Sequence, residues 1–446
     1  MAELTRRIDS SRWTVAHDLI FVSTSLGMLI WGLEAAIGPA GYLTFHRSLL
    51  FLVAYYALDF IGDLVIARFS DTTLARKGAF YLTMSMIGAG LLVLGADIAV
   101  TGGTGLLAVA VGLAGAAVMK VGIEGDVPVS LAFLAENSPA KYRNRVLVLA
   151  PNFANIGSAI GALVLWMTYY STESYRYAAL VLIALTIAAL AIAFGVRVSM
   201  PESVRWLMTK GMYDRAAREA SRLSSEAAHE VREVRPTVGI PGRFVFLVLL
   251  GVSQYLTFGL MAYTIAYFYY TGSTIFFIMF VASLGASVAG LPAALLAERM
   301  DSRDFTLLSF GGGLATMALI GAAFSLMTQT GFLSLFYPLL FLNMLFSELA
   351  WAVRTVYEPV LFPTNVRATM IGLVRVFPIL SYDISLYVTY SWGELQFIVF
   401  NAALWAVGAA AALFWKVRGY DVRGALLESA SSPVPAKDAG SAARPM

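Results

Sequence analysis

Apolar runs of about 20 residues repeat along almost the whole chain, and they constrain its fold more than any other feature. A helix of that length spans the hydrocarbon core of a bilayer. Hydrophobic residues make up 59% of the chain and charged residues 13%, which excludes an ordinary soluble protein. The pattern predicts an all-α integral membrane protein with twelve transmembrane helices. The predicted spans are 18–40, 48–67, 79–99, 106–132, 146–168, 176–197, 244–269, 274–296, 305–327, 333–356, 370–391 and 395–415.

One long polar segment, residues 200–242, separates two halves of six runs each. We therefore predict a six-helix bundle over 1–199, a cytoplasmic linker over 200–242 and a second six-helix bundle over 243–418. The linker is basic, and its apolar residues recur near helical spacing. This pattern is typical of an amphipathic helix at a membrane surface, and a solvated linker helix is the alternative. The low complexity of residues 419–446 favours a disordered C-terminal tail.

Basic residues are concentrated in the loops that follow the even-numbered runs, whereas the opposite loops offer little beyond Arg47 and Arg176. The positive-inside rule places the basic loops and both termini in the cytoplasm. We expect a multi-pass protein of the plasma membrane. The basic residues outside the linker are Arg68, Arg76, Lys77, Lys141, Arg143, Arg145, Arg299, Arg303 and Arg367.

The two halves repeat one another in sequence. Pro139 to Arg143 follows the fourth run, and Pro363 to Arg367 follows the tenth, so Pro-x-x-x-Arg occupies the same place in each six-run unit. Two six-span units repeated in parallel are typical of one large class of transporters.

The loop 67–77 resembles the motif that follows the second span in the major facilitator superfamily. That motif is glycine-x-leucine-x-aspartate followed by glycine-arginine-arginine, and this chain keeps Asp71 and the basic residues. Ala67 and Leu74 replace the two glycines, which makes the turn less ideal.

Three further stretches indicate branches of the superfamily. Residues 201–207, PESVRWL, match a signature of the sugar-porter-like branch. Residues 122–130 resemble a stretch of proton-coupled phosphate symporters, and residues 361–369 resemble metabolite and phosphate symporters. The chain is thus similar to the sugar-porter-like or metabolite and phosphate:proton symporter branch.

The resemblance implies secondary active transport by alternating access, with proton symport of a small polar solute such as a sugar, an organic acid or phosphate. An efflux antiporter of amphipathic compounds and a non-transporting sensor with the same fold remain alternatives. The implied partners are the solute, protons and lipid, with no nucleic acid, and we expect a monomer.

Several kinds of enzyme chemistry are excluded or disfavoured by composition. The chain has no cysteine and three histidines far apart in sequence, which excludes thiol catalysis and disfavours a histidine-rich metal centre. Without a Walker-type loop, direct ATP use is not expected. We expect neither an enzyme nor a bound cofactor.

Acids and bases recur together at the predicted cytoplasmic ends of the helices in both halves. Charge-assisted bonds among them would hold neighbouring helices together in one conformer and break in the other. Simple topology marking by basic loops is the alternative. The candidate gating residues are Arg68, Asp71, Glu136, Arg143, Glu298, Arg299, Glu358 and Arg367.

Ionisable residues inside spans are costly and are functional candidates by default. Glu34 lies where sugar porters carry a proton-coupling aspartate, and Asp126 matches an aspartate of the phosphate symporters. These two are the candidate proton carriers, although Glu34 could instead serve as a helix-end partner. Because Asp126 and Glu124 point in roughly opposite directions around one helix, at most one should face a central cavity, and the motif favours Asp126.

Lys120 and Glu124 are one helical turn apart, and Lys120 lies at a depth where it could meet Glu34. Neutralisation of Lys120 by Glu124 is the simpler alternative. Arg375 could pair with Glu348, or Lys120 and Arg375 could neutralise a carboxylate or phosphate on the solute. On the seventh span only Gln254 remains of the glutamines and asparagine that sugar porters use, which counts against a typical hexose transporter. The candidate solute-binding residues are Lys120, Glu124, Asn152, Asn155, Gln254, Tyr255, Trp351, Arg375 and Asp383.

Overall fold

The computed structural model describes residues 2–225 and 229–434, and within these residues the chain is helical, with one isolated β-bridge between Arg232 and Ala425. Two six-helix bundles form a parallel pseudo-repeat, as the sequence predicts. We number the spans in chain order. Spans 1 to 6 are Val15–Thr44, 49–74, Ala75–Thr101, Leu106–Asn137, Ala140–Thr172 and Tyr175–Ser199. Spans 7 to 12 are Ile240–Tyr269, Ser273–Arg299, Ser302–Ala322, Phe332–Val360, Thr364–Thr389 and Glu394–Arg418.

Spans 2 and 3 form one continuous helical run, so eleven helices in the described part of the chain are long and apolar enough to cross a membrane. The run Leu49–Thr101 has 53 residues. At 1.5 Å per residue it would be about 80 Å long, more than twice the hydrocarbon thickness. It is divided at Ala75, where the backbone has φ 60° and ψ −176°. Counting the segments on either side of Ala75 gives the twelve predicted spans.

The break falls one residue beyond the position expected from the loop motif. Leu74, which replaces a motif glycine, has ordinary helical angles, whereas Ala75 adopts a backbone conformation that suits glycine almost exclusively. Span 2 also contains two π-helical turns, Gly62–Ile66 and Ser70–Leu74, and span 7 contains one at Leu260–Thr264. Such turns often occur at functional sites.

Replacing Ala75 with glycine is expected to stabilise the protein, because glycine adopts these backbone angles without the strain of about 1–3 kcal/mol that other residues incur. The measurement is the thermal unfolding temperature in detergent. Ala79→Gly, a buried position inside the same helix, is the matched control and should lower that temperature. An equal decrease for both variants would contradict the proposed strain at Ala75.

The two halves contact each other along three seams. Span 5 packs against span 8, span 2 packs against span 11, and the ring of Tyr42 on span 1 lies 5.3 Å from that of Tyr267 on span 7. Gly372 on span 11 permits a close approach of the two halves, since a Cβ there would lie 1.9 Å from the carbonyl oxygen of Asp63 on span 2. The halves are thus in direct contact around a central axis.

The linker contributes two helices, Val204–Thr209 and Tyr213–Leu223, whose apolar faces pack on the protein itself. Trp206 is buried, and its Nε1 donates to the carbonyl oxygen of Asp71. The expected contact of this apolar face with a membrane surface is therefore replaced by contact with the helical bundle. Residues 226–228 of the linker lie outside the described residues.

The tail differs from the disorder expected from residue 419 onward. Through residue 434 it is ordered, with a short helix Leu427–Ala430 whose Leu427 is fully buried. Sequence complexity could not indicate this, because the segment is held by side chains from distant parts of the chain. Residues 435–446 lie outside the described residues. The N-terminal helix Ala2–Ser10, the linker and the tail lie together, and we call this side of the molecule the linker side.

Candidate functional site

A small cavity lies between the two halves near the middle of the spans. Its volume is about 40 Å³, enough for a few water molecules but not for a solute. Aromatic side chains form most of its wall, and the ionisable groups that reach it come from spans 1 and 4. The lining residues are Trp31, Glu34, Ala35, Tyr56, Lys120, Glu124, Tyr255, Phe258, Gly259, Tyr263 and Tyr382.

Lys120 is the centre of the ionisable cluster at this cavity. Its Nζ lies 3.0 Å from Asp59 Oδ2, 3.4 Å from Glu34 Oε2 and 3.6 Å from Glu124 Oε1. The ammonium group also lies 5.0 Å from the ring centroid of Tyr56, within the range of a cation–π interaction. Lys120 therefore meets Glu34, as its depth predicts, and is neutralised by Glu124 as well.

Glu34 has a second partner on span 2. The Tyr55 hydroxyl donates a hydrogen bond to Glu34 Oε1, and the carboxyl group is almost completely buried. Glu34 therefore faces the cavity rather than serving as the helix-end partner that the sequence left open. Span 1 continues past it, with a change of helix only at Ala36.

Arg375 joins the same cluster from the second half. Its Nε lies 2.8 Å from Asp63 Oδ1, and its Nη2 lies 2.5 Å from Glu124 Oε2. Trp31 Nε1 donates to the other Glu124 oxygen at 3.0 Å. The predicted pairing of Arg375 with Glu348 is wrong, because the guanidinium group points across the central axis to the first half.

The cluster contains more acids than bases. Lys120 and Arg375 contact four carboxyl groups, Glu34, Asp59, Asp63 and Glu124, all buried. The prediction that the two cations neutralise an anionic group on the solute therefore does not fit this geometry, because both are already outnumbered by carboxylates. Spacing along the chain could not show this, since Asp59 and Asp63 come from a different helix.

Asp126 does not face the cavity, contrary to the sequence-based expectation, and Glu124 does. Arg197 on span 6 binds both oxygens of Asp126, at 2.7 and 2.8 Å. Thr83 and Ser130 donate to the same carboxylate at 2.8 and 3.2 Å. Asp126 is thus fixed within the first bundle, away from the central axis. Sequence reasoning missed Arg197, whose only signal was its position at the end of an apolar run.

Several predicted solute-binding residues border the cavity or a smaller neighbouring one. Tyr255 lines both, and Gln254, Trp351 and Arg375 line the smaller cavity. Gln254 Oε1 accepts a hydrogen bond of 2.7 Å from Arg354 Nη1. The side chain of Gln254 is therefore already engaged in this conformer.

Three other predicted solute-binding residues lie outside the cavity lining. Asn152 and Asn155 lie at the seam between spans 5, 8 and 10, where Asn155 Nδ2 donates to Glu348 Oε2 at 2.6 Å. Asp383 is buried on span 11, close enough to Lys120 and Glu124 to interact electrostatically with them. Neither carboxylate oxygen of Asp383 has a hydrogen-bond partner in the described part of the chain.

A second cluster of buried charges joins the halves on the linker side. Arg76 Nη2 lies 2.5 Å from Glu136 Oε1 and Arg76 Nη1 lies 2.7 Å from Asp71 Oδ1, while Arg367 Nη1 from the second half lies 3.1 Å from Glu136 Oε1. Asp71 Oδ2 accepts the backbone N–H of Thr369 at 2.7 Å, near the start of span 11. We call Asp71, Arg76, Glu136 and Arg367 the linker-side gate.

Only part of the predicted gating set lies at this gate. Arg68 and Arg299 are not part of the gate in this conformer: both side chains are exposed, and the structure gives them no ion pair among residues 2–225 and 229–434. Asp71 binds Arg76 and not Arg68. Glu298 pairs across the halves with Arg145 at 2.5 Å, in a partly exposed position.

Glu358 is also placed differently from the expectation for a gating residue. It pairs with Arg354 of its own helix, at 2.9 Å, rather than with a residue of the first half. Their i, i+4 spacing favours this local pair. Glu358 therefore does not join the two halves directly.

Arg143 binds the N-terminal helix and the tail instead of the gate carboxylates. It contacts the Asp9 carboxylate and donates to the carbonyl oxygen of Ala425 at 2.9 Å. Arg205 of the linker pairs with the same Asp9 at 2.8 Å and with Glu428 of the tail at 2.8 Å. Burial would raise the pKa of Glu428, but the charge of Arg205 and its hydrogen bond outweigh this and lower the pKa to about 2. The tail thus stays ionically bound at neutral and mildly acidic pH.

No group of histidine, aspartate or glutamate residues suited to hold a metal ion occurs within the described ranges.

Comparison with known proteins places these features in a family context. A family model described as Major Facilitator Superfamily matches residues 19–378. A search of curated proteins gives no sequence match. The proton:xylose symporter XylE, solved with 6-bromo-6-deoxy-D-glucose, superposes with a TM-score of 0.74 at 17% identity, over 93% of this chain and 98% of that one.

Two other solved structures are similar over most of their length. XylE from E. coli in a partially occluded inward-open conformation gives a TM-score of 0.66 at 15% identity, over 90% of this chain and 97% of that one. A bacterial homologue of the iron transporter ferroportin, in an outward-facing state, gives 0.60 at 14% identity, over 94% and 100%. At these identities the likeness concerns the fold.

Proposed function

Because this chain belongs to the major facilitator superfamily, we propose that it is a secondary active transporter that moves a small polar solute by proton symport and alternating access. The observation that carries the proposal is the Lys120 cluster, which consists of buried ionisable groups in and beside a small cavity between two matching bundles. Its members are Glu34, Asp59, Asp63, Lys120, Glu124 and Arg375. Buried charges at this depth are costly in a membrane protein and are retained for function. We further propose a monomer in the plasma membrane with the linker side in the cytoplasm, following the basic loops.

Glu34 is the proposed proton carrier. When ionised it is stabilised by Lys120 and by the hydrogen bond from Tyr55. Protonation removes its attraction for Lys120, which then binds Asp59 and Glu124 alone. A proton can in this way change the charge distribution around the solute cavity. The solute site would accept a substrate only after the halves move, because the present volume is too small.

Alternating access requires that contacts between the halves break on one side at a time. In this conformer the linker side is held shut by the linker-side gate, with Arg145–Glu298 beside it. Opening on that side would break the ion pair between Arg367 and Glu136. This contact would then be present in one state and absent in the other, as a gate requires.

A hydroxylated solute suits the cavity better than an anion. Carboxylates accept hydrogen bonds from hydroxyl groups, and the excess of acids over bases repels a carboxylate or phosphate. The fold is shared with a proton:xylose symporter, which agrees with a polyhydroxylated solute, although the loss of most sugar-porter polar residues on span 7 argues for another compound than a hexose.

Efflux of an amphipathic cation is the second candidate. Six aromatic residues line the cavity together with surplus carboxylates, and aromatic faces beside carboxylates attract ammonium groups. Lys120 itself shows that an ammonium group is accommodated there, 5.0 Å from the Tyr56 ring. Such a substrate would exchange for protons rather than move with them.

Reconstitution into proteoliposomes tests the proposal. Uptake of labelled sugars, polyols, carboxylates, phosphate and organic amines is measured with and without an imposed pH gradient. We expect gradient-driven uptake of a polar solute. Glu34→Gln should reduce that uptake at least about tenfold while solute exchange without a gradient continues, since removal of one proton carrier abolishes coupling and not binding.

Glu233→Gln, at an exposed position in the linker, is the matched control and should behave as the wild type. Uptake that ignores the pH gradient, or a Glu34→Gln variant that remains fully gradient-driven, would contradict proton symport through Glu34. Amine movement against a proton flux in the opposite direction would favour the efflux candidate. No flux of any compound under any gradient would favour a sensor.

A further inference from the structure

Glu348 is a buried carboxyl group that the Lys120 cluster does not include. It lies on span 10 with 2% of its surface exposed. Its Oε2 accepts a hydrogen bond of 2.6 Å from Asn155 Nδ2 on span 5, in the other half of the molecule. Among residues 2–225 and 229–434 no cation pairs with it, so its one identified polar partner is an uncharged amide.

The contact belongs to a chain of hydrogen bonds that crosses the seam twice. Asn155 Nδ2 also lies 3.1 Å from Asn152 Oδ1, and Asn152 Nδ2 donates to the carbonyl oxygen of Ser287 on span 8 at 3.1 Å. Gly290 makes room for this arrangement, because a Cβ there would lie 1.9 Å from Asn152 Nδ2. Spans 8 and 10 of the second half thus hold span 5 of the first half through neutral amides and one carboxyl group.

The charged groups of the helices packed around Glu348 are engaged elsewhere. Those of spans 5 and 8 lie at the linker-side ends and pair with Asp9 or with each other, or are exposed. Those of spans 4, 7, 10 and 11 take part in the Lys120 cluster, in the linker-side gate, in the Asp126–Arg197 and Arg354–Glu358 pairs, or in contacts with the tail, and Asp383 is itself an acid. Those at the start of span 9 pair with Asp301 and Lys416. The charged groups of these helices are Lys120, Glu124, Asp126, Glu136, Lys141, Arg143, Arg145, Arg243, Glu298, Arg299, Arg303, Asp304, Arg354, Glu358, Arg367, Arg375 and Asp383.

An ionised carboxylate without a cation is strongly disfavoured in such a place, whereas a carboxylic acid is not. The neutral acid keeps a carbonyl oxygen that accepts from Asn155, so protonation costs no hydrogen bond. If spans 5, 8 and 10 separate, water reaches the group and can solvate the anion. Proton binding therefore stabilises the contact between the spans, and the contact in turn stabilises the bound proton.

We propose that Glu348 is a second proton site, which holds its proton while spans 5, 8 and 10 are in contact and releases it to water when the linker side opens. This inference rests on the proposed transport function and adds a proton-binding residue to it. The site differs from the Lys120 cluster because its carboxyl group has no cation partner among the described residues and lies at the contact of spans 5, 8 and 10.

The proposal predicts that the seam responds to pH even without solute. The chain has no cysteine, so spin labels can be attached to cysteines introduced at the exposed positions Lys141, at the start of span 5, and Arg299, at the end of span 8. In the full-length protein in lipid nanodiscs, the fraction with the short label distance should fall as pH rises. For one linked proton the equilibrium shifts up to about tenfold per pH unit.

Glu348→Gln keeps the shape and the acceptor oxygen but cannot titrate, so the short distance should persist at all pH values. Glu348→Met replaces the carboxyl group with an apolar side chain of similar volume and should also lack the pH response. The two variants together show whether the result comes from the loss of a titratable group or from the glutamine side chain itself. Glu233→Gln, at an exposed position in the linker, is the matched control and should leave the response intact. A wild-type seam indifferent to pH, or an unchanged response in both Glu348 variants, would overturn the proposal.

The outcome can be separated from that of the transport assay. If proteoliposomes show proton-driven uptake but the seam does not respond through Glu348, only the second proton site is wrong. If no gradient-driven uptake occurs while the seam responds as described, the proposed symport fails and Glu348 remains a proton-linked contact.

Discussion

Replacing Glu136 with glutamine is expected to open the linker-side gate. Glu136 binds three side chains at once: Arg76 at 2.5 Å, Arg367 at 3.1 Å and the Ser203 hydroxyl at 2.6 Å. Arg76 retains Asp71 in the variant, but Arg367 keeps only the carbonyl oxygen of Phe362 and the Thr364 hydroxyl. The ion pair that crosses the halves is then lost.

The expected size follows from burial. Arg76, Glu136 and Arg367 are completely buried, and removing one partner of a buried ion pair costs about 3–5 kcal/mol because the remaining charge is left uncompensated. The second half can escape this cost by moving away, since Arg367 then reaches water. A bias of about 3 kcal/mol changes the ratio of closed to open conformers by about 100-fold.

Spin labels on cysteines introduced at the exposed positions Arg68 and Arg418 should report this as a longer distance across the linker side. Glu298→Gln is the matched control. It removes a pair that also crosses the halves but is partly exposed, with 44% of the Arg145 side chain accessible, so its effect should stay below about 1 kcal/mol. Equal distance distributions for wild type and Glu136→Gln would show that the linker-side gate does not hold the halves together.

The fold follows from sequence because its determinants are local and repeated. Apolar runs set the number of spans, and the repeat of Pro139–Arg143 at Pro363–Arg367 sets the two halves. The backbone break at Ala75 could not be placed to the residue, because a π-helical turn just before it shifts the helix by one position relative to the motif. The tail was missed because its order comes from Arg143, Arg205 and Arg243, which lie far away in the chain.

The sequence predicted the ion pairs of the candidate site whose partners lie on one helix or at matching depths in the membrane. It did not predict those whose partners lie on different helices across the bundle. Lys120 and Glu124 share a helix face, and the depth of Glu34 brought it to Lys120. Asp126 was assigned to the cavity on a motif, but it pairs with Arg197, 71 residues away. Rotation of a helix about its axis is set by packing with neighbours, and a single sequence does not record it.

Arg375→Met is expected to have the largest effect on stability. The guanidinium group of Arg375 is shared by Asp63 and Glu124, both with fully buried side chains, and it links span 11 of the second half to spans 2 and 4 of the first. Without it Asp63 has no cation partner among the described residues, and Glu124 keeps Lys120 at 3.6 Å and the hydrogen bond from Trp31. The expected loss is about 3–5 kcal/mol, seen as a lower unfolding temperature in detergent and loss of transport in proteoliposomes.

A charge-matched second substitution separates electrostatics from packing. In Arg375→Met combined with Asp63→Asn, the uncompensated anion is gone, so much of the lost stability should return. Arg303→Met is the control for loss of an arginine, since its pair with Asp301 is partly exposed and its removal should change the unfolding temperature little. If the double variant were no more stable than Arg375→Met alone, the role of Arg375 would be packing. The Asp63–Arg375–Glu124 network would then not explain why carboxylates are tolerated at the centre of the membrane.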